Sequence, residues 1–267
     1  MSGNLFKRVL ITNDDGIDAD GILALEQAVA EIADQVWVVA PDSDCSACSA
    51  SLNLNGPIQT RQISERKFAI AGTPGDCVLM ACRYFMLAKE PTLILSGINC
   101  GANLGDNLLF SGTVNAALIG AFLEIPSVAF SQAYRDKSIL PWSNSRELVP
   151  KVLQRLANFA EIAWPAGVAF NVNFPDAPLE EIPELVPSRQ GRGSILSVEV
   201  DAHADSQNQR QLSVSFAGKR QDLALDTDVS IVRRNAVSIT PLRLDKTDHQ
   251  LFEFMQIDWP NEAIHIL

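Results

Sequence analysis

Five short segments constrain this chain more than anything else in it: Val9–Thr12, Gln35–Ala40, Thr92–Ser96, Ser127–Ser131 and Val168–Phe174. All are rich in residues that suit a strand, and Gln35-Val36-Trp37-Val38-Val39-Ala40 is almost wholly apolar. A strand without a polar face is buried on both sides, as in a parallel sheet covered by helices. Helix patterns lie between them: Ala19–Ala33, Cys77–Leu87, Thr113–Leu123 and amphipathic Leu148–Phe159. In the first, Ile22, Leu25, Val29 and Ile32 fall close to helical spacing. Asp76 is expected to cap the second. Lys67–Ile70 adds a short strand. The alternation predicts an α/β fold with a doubly wound, mostly parallel, Rossmann-like sheet and right-handed crossovers.

In such a sheet the ligand crevice lies beyond the carboxyl ends of the strands. The polar clusters of this chain fall there. Val9–Thr12 runs straight into Asn13-Asp14-Asp15-Gly16, the second strand into Pro41–Ser46, and the strand ending at Ser96 into Gly97-Ile98-Asn99. Two adjacent carboxylates at a strand end repel each other and resist desolvation, so a fold holds them best around a cation or under water. Carboxylate oxygen suits a hard divalent ion. On its own, Asp14-Asp15-Gly16 is also an ordinary solvated turn. Ser111-Gly112-Thr113 opens a helix, where free N–H groups and the positive dipole end make an anion site; it is equally an N-cap. A cation site and an anion site on one edge fit a metal-bridged phosphate.

Other chemistries lose ground. Gly97, Gly101 and Gly105 do not form a dinucleotide fingerprint, and no P-loop motif occurs. The three histidines, His203, His249 and His265, all lie beyond the expected sheet, which disfavours a Ser-His-Asp triad or a His-rich zinc site in the crevice. Metal-activated water is then the better nucleophile. Cys45-x-x-Cys48 and Cys77-x₄-Cys82 read as buried or partly buried thiols rather than zinc ligands, since Cys77 and Cys82 sit in a helix pattern and point apart. Asp18 and Asp20 before Gly21 fail as a calcium loop, because Gly16 and Gln27 stand where carboxylates are needed. They are expected to cap a helix and neutralise its dipole.

The net charge of −11 argues against binding a nucleic-acid duplex by counterion release. There is no apolar run of about eighteen residues to span a membrane, and Met1–Arg8 lacks a signal-peptide core. Five cysteines, an odd number, point to a reducing cytoplasm rather than a disulfide framework. The first 187 residues are expected to form the catalytic α/β core. Residues 188–267 are expected to form an oligomerising extension. In it, strands Ser194–Val200 and Gln211–Phe216 form a long hairpin (194–216), followed by a last strand at Val237–Leu242 and a helix-like segment at Thr247–Gln256. Such a hairpin is marginal alone, so it should pack on the core or on another subunit.

Val9–Ile17, Val39-Ala40-Pro41-Asp42, Gly72-Thr73-Pro74, Ser96-Gly97-Ile98-Asn99, Ser111-Gly112-Thr113-Val114 and Val237–Leu242, in this order, resemble the SurE (survival protein E) family over nearly the whole chain. The resemblance implies a metal-dependent phosphatase acting on nucleoside 5′- and 3′-monophosphates, in some members also on short polyphosphate. It implies one divalent ion per subunit, Mg²⁺ or Mn²⁺, on Asp14, Asp15, Ser46 and Asn99, with Asp14, Asp15 and Asn99 catalytic. It implies phosphate contacts at Asn103, Ser111, Gly112 and Thr113. It also implies a homodimer or homotetramer that exchanges C-terminal elements. The chain departs from the family at Asp20, at Cys45 and Ala47 around Ser46, at Phe110 and at Ile119. A receiver-like signalling module is the alternative. It would need a phospho-acceptor aspartate and a lysine where Ser96-Gly97 and Ser131-Gln132 stand.

Overall fold

The computed structural model describes residues 4–182, 184–192, 197–203, 211–218 and 224–258. In chain order the elements are β1 (Phe6–Thr12), α1 (Asp20–Val29), β2 (Ala33–Pro41), β3 (Thr60–Ser64), β4 (Lys67–Ile70), α2 (Pro74–Met80), β5 (Leu93–Cys100), α3 (Gly112–Phe122), β6 (Ser127–Gln132), α4 (Trp142–Ala163) and β7 (Val168–Phe174). There follow β8 (Leu185–Pro187), β9 (Ser197–His203), β10 (Gln211–Ala217), α5 (Asp228–Arg233), β11 (Val237–Arg243) and α6 (His249–Asp258). A π-helical turn, Ala81–Phe85, continues α2, and a 3₁₀ turn, Gly105–Leu109, precedes α3.

The main sheet has nine strands in the order β3-β4-β2-β1-β5-β6-β7-β11-β8. Its centre, β4 through β7, is parallel throughout. β3 and β11 run antiparallel to β4 and β7. From β1 the chain winds outward to β2 and later returns to β5 on the other side, so the switch point lies between β1 and β5. This is the α/β architecture that the apolar runs predict, with α1 and α4 on one face and α2 and α3 on the other.

The strands are buried on both faces as their composition requires: β6 and β7 are buried along their whole length. On one side Ile22, Leu25 and Val29 of α1 and Val149, Val152 and Leu153 of α4 share a core with Val9, Ile11, Phe130 and Phe174. Truncating fully buried Leu25 to alanine would cost about 2–5 kcal/mol. On the other side α3 uses small residues, Ala116, Ala117, Gly120 and Ala121. A Cβ on Gly120 would stand 2.2 Å from Ser127 Oγ, so the helix lies close on β6.

Local details differ from expectation. The N-cap of α2 is Thr73, not Asp76; Asp76 sits at N3, and the two close a capping box. Asp18 and Asp20 give α1 no side-chain cap; the N-cap is Ala19, and Asp20 serves the dipole from the first turn. α1 stops at Val29 because β2 is already paired from Ala33. α4 begins at Trp142, before the expected Leu148, and carries Pro150 inside. β3, β8 and α5 were not foreseen; β3 is exposed along its length, so burial gave it no apolar signal. β9 and β10 form the expected antiparallel hairpin. The polar segment 201–210 is turn-like in sequence, but its first three residues, 201–203, belong to β9; residues 194–196 and 204–210 lie outside the described residues. β11, from the C-terminal part, is a strand of the main sheet beside β7.

Candidate active site

β1 ends in Thr12, and Asn13 Nδ2 donates to the Gly16 carbonyl (2.7 Å), closing the turn that presents Asp14 and Asp15. Gly16 adopts φ +101°, which side chains rarely tolerate. Asp14 is buried, 4% exposed, and its carboxylate faces the start of α3. The Thr113 N–H donates to Asp14 Oδ2 at 3.0 Å, and the Thr113 hydroxyl donates to Oδ1. Between them Gly112 passes so close that a Cβ would stand 2.8 Å from Asp14 Oδ2 and 2.8 Å from Cys48 Sγ. The positive end of α3 therefore rests on an aspartate of the turn after β1. Ser111 is the N-cap, its hydroxyl accepting from Val114 N at 3.0 Å.

Asp15 is half-buried and accepts from the Cys100 N–H at 3.0 Å. That bond ties it to the end of β5, beside Asn99. Asn99 Nδ2 donates to the Gly101 carbonyl at 2.7 Å, which leaves Oδ1 as the amide's acceptor. The loop after β2 joins through Cys45 N–H, which donates to the Asp14 carbonyl at 2.8 Å. In this exposed loop Asp44 accepts from both the N–H (2.8 Å) and the hydroxyl (2.6 Å) of Ser46. Three strand ends, those of β1, β2 and β5, thus meet at the switch point.

The electrostatics are those of an acidic pair taken partly out of water. Burial pushes the Asp14 carboxyl up to about 6; Thr113 opposes that, and Asp15 adds to it. Asp15 is also raised, first by burial and then by Asp44; the Cys100 N–H and Lys137 oppose. Among the described residues no salt bridge reaches either carboxylate. Nor do three His, Cys, Asp or Glu side chains converge to hold a metal. A cation here would be held by two carboxylates and by neutral oxygens, the Asn99 amide and the Ser46 hydroxyl. All four are hard donors, and the negative charge of the pair supplies the attraction, so the residues fit a divalent ion of the Mg²⁺ or Mn²⁺ type. Two free thiols, Cys45 and Cys48, lie in the neighbouring loop. Cys45 is raised, and Cys48 is pushed up to about 11, by burial and by Asp14 among others. Both stay protonated at neutral pH.

Asn103 lies in the loop between β5 and the 3₁₀ turn. It is 7% exposed, and its contacts run into the sheet. Its N–H donates to Asn173 Oδ1 (2.8 Å) and its Nδ2 to Ser131 Oγ (2.9 Å), while Asn171 and Asn173 both donate to its carbonyl. Sequence reasoning missed these partners, although the period-two Asn171-Val172-Asn173 was the available signal. It also missed Asp44, read only as part of a turn, and Asp228. The Asp228 carboxylate holds the N–H groups of Gly105 (2.9 Å) and Gly191 (2.8 Å), anchoring the segment that leads to Ser111.

Fold and site together define a doubly wound α/β protein with an acidic pair at its switch point, closed by a helix N-terminus. The description Survival protein SurE belongs to a family model that matches residues 9–196. The chain is 38% identical over 246 residues to 5′-nucleotidase SurE 1 of Burkholderia lata, covering 92% of this chain and 94% of that one. It is 41% identical over 245 residues to 5′-nucleotidase SurE of Methylocella silvestris, covering 90% and 95%. The crystal structure of the SurE protein from Aquifex aeolicus superposes with a TM-score of 0.80 at 32% identity, over 94% of this chain and 98% of that one. The chain belongs to the survival protein SurE family.

Proposed function

We propose that this chain is a metal-dependent phosphomonoesterase, a nucleotidase that releases phosphate from nucleoside 5′-monophosphates. The observation that carries the reading is the juxtaposition at the switch point: an acidic pair that no salt bridge reaches among the described residues, closed by the start of α3. The 5′-nucleotidase names of its relatives support the substrate class. Hydrolysis of 3′-monophosphates and short polyphosphate belongs to the same proposal.

In this reading Asp14, Asp15, Ser46 and Asn99 hold one divalent ion per subunit, with Asp14, Asp15 and Asn99 acting in catalysis. When bound, that ion supplies Lewis acidity toward the phosphoryl oxygens and lowers the pKa of a water. Thr113 fixes the rotamer of Asp14, and the Cys100 N–H fixes Asp15, so both carboxylates are positioned before substrate arrives. Ser111, Gly112 and Thr113 place the positive end of α3 where charge gathers on the equatorial oxygens. Asn103, in the loop that leads to that turn, completes the phosphate-contacting set.

The test is phosphate release from AMP with Mg²⁺ or Mn²⁺. Activity should vanish in EDTA and in an Asp14→Asn, Asp15→Asn double variant; full activity in either condition would sink the mechanism. The receiver alternative is not favoured: Ser96-Gly97 and Ser131-Gln132 at the ends of β5 and β6 supply neither phospho-acceptor nor lysine.

Self-association is part of the proposal. In β9 and β10, Val198 pairs with Phe216 and Val200 with Val214, and these four side chains are 49–67% exposed. They put an apolar face on a hairpin that is marginal by itself. A homodimer or homotetramer built through it is expected; light scattering that shows a monomer at micromolar concentration would refute this. All five cysteines are free thiols, which supports a cytoplasmic setting. Among the described residues no helix is long and apolar enough to cross a membrane.

A further inference from the structure

A cavity of about 620 Å³ is lined in part by Val114, Asn115 and Leu118 of α3, the helix whose start closes on Asp14, and by Ser49, next to Cys48. That volume is in the range of small-molecule sites. The lip between cavity and acidic pair is built by the two loops that carry Ser46 and Ser111. Ser49 Oγ donates to the Leu109 carbonyl at 2.8 Å, and the Ser49 N–H donates to the Phe110 carbonyl at 3.2 Å. Both Ser49 and Leu109 line the cavity. Its floor follows α3 away from the phosphate turn through Val114, Asn115 and Leu118. Leu118 lies five residues beyond Thr113, about 7–8 Å along the helix axis.

The lining is mixed in a particular way. Leu109, Leu118 and Leu242 offer apolar walls. Asn115 and Gln190 each commit an N–H to backbone, to the Ser111 carbonyl (2.8 Å) and the Gly105 carbonyl (2.9 Å) respectively. Each keeps a carbonyl oxygen and a second N–H for a ligand. Arg243 and Lys246 stand on the β11 side with one carboxylate, Asp245, between them in sequence; Arg189 also lines the cavity, and among the described residues neither Arg243 nor Lys246 is in a salt bridge. In a chain of net charge −11 this is a local positive rim. Flat apolar walls, amide groups of both hydrogen-bonding kinds and a cationic rim are what the base and sugar of an anionic nucleotide require.

We propose that this cavity receives the nucleoside part of the substrate, with its phosphate on the acidic-pair side of the Ser49–Leu109 lip. Asn115 and Gln190 meet the polar edges of base and sugar, Leu109 and Leu118 bracket the rings, and Arg243 draws in the anion and stacks on the base. The inference rests on the nucleotidase reading and extends it, because it locates substrate selection outside the metal-holding residues.

The test uses the full-length protein and two substitutions, Leu118→Trp, which fills the cavity, and Gln190→Leu, which keeps its size but removes the amide. The expected result is a tenfold or larger rise in KM for AMP, kcat within about threefold of wild type, and an unchanged inhibition constant for inorganic phosphate. Wild-type KM in both variants overturns the cavity's role. A joint change of KM and phosphate inhibition overturns it as well, since the phosphate turn itself would then have moved. A KM change accompanied by a change in oligomeric mass reassigns the cavity to subunit contact. A wild-type protein that hydrolyses no nucleotide refutes the underlying nucleotidase reading, and this inference with it. Wild-type hydrolysis untouched by either substitution refutes the cavity alone.

Discussion

Gly112→Ala tests the closure of α3 on β1 most directly. The added Cβ would stand 2.8 Å from Asp14 Oδ2, 2.8 Å from Cys48 Sγ and 2.9 Å from Asp14 Cβ. Comfortable carbon contacts begin at about 3.5 Å, so the helix start must retreat by roughly 0.7 Å from two loops at once. Such overpacking costs about 1–3 kcal/mol. Alanine returns at most about 1 kcal/mol of helix propensity. The net loss, up to about 3 kcal/mol, should lower Tm by up to about 10 °C in a domain of this size. The functional effect is larger, because the retreat lengthens the 3.0 Å bond from Thr113 N–H to Asp14. A misplacement of about 1 Å in a catalytic group can cost on the order of 100-fold, so kcat for AMP should fall about 10–100-fold with Mn²⁺ saturating. Cys48→Ala removes one of the clashing atoms and should recover part of both losses, with a coupling of about 0.5–3 kcal/mol in a double-mutant cycle. A Gly112→Ala protein with wild-type kcat/KM and Tm would refute the close-approach argument.

Three further outcomes follow from the same geometry. The folded chain holds the Asp14 proton with a pKa of about 6 against an ordinary 3.8, so it binds more protons than the unfolded chain across that window. In EDTA the protein should therefore lose up to about 3 kcal/mol of stability as pH rises from about 4 to about 6 and change no further from this group above that; Asp14→Asn should lack the step in denaturant titrations, and an identical pH profile for the two proteins would contradict it. Asp228→Ala leaves the N–H groups of Gly105, Gly191 and Val229 without their carboxylate and should cost about 3 kcal/mol or more, with Asp228→Asn retaining part of it by chemical denaturation. Phe216→Ala removes a ring 5.0 Å from Phe110 and should loosen β9 and β10 by about 0.5–1.5 kcal/mol; hydrogen exchange should accelerate at 197–203 and 211–217 while β5 to β7 stay protected.

The departure at Cys45 and Ala47 gains meaning from the structure. Ser46 keeps its orientation through Asp44 rather than through its immediate neighbours, so the loop can change beside it while the hydroxyl stays placed. Phe110 likewise has a partner of its own, Phe216 on β10. Ile119, a further departure, packs against the apolar cluster around Leu10 and Val39.

What this sequence determined by itself was whatever a residue's own composition and spacing can encode. Runs without a polar face specify strands buried on both sides, and these specify a parallel sheet with helices over it. Strand ends rich in Asn, Asp and Gly mark the edge where ligands go. The Thr73–Asp76 capping box was equally present as a Thr-x-x-Asp pattern, and the cap was misassigned only because both residues are good cap formers. Tertiary structure decided the partners. Thr113 lies 99 residues from Asp14, and Asp228 lies 123 from Gly105. No local pattern records that the Thr113 hydroxyl fixes an aspartate, or that Asn103 is bonded to Ser131, Asn171 and Asn173 of the sheet. Those bonds exist because a buried polar group must find a partner, and which partner is within reach is set by how the helices and loops pack on the finished sheet.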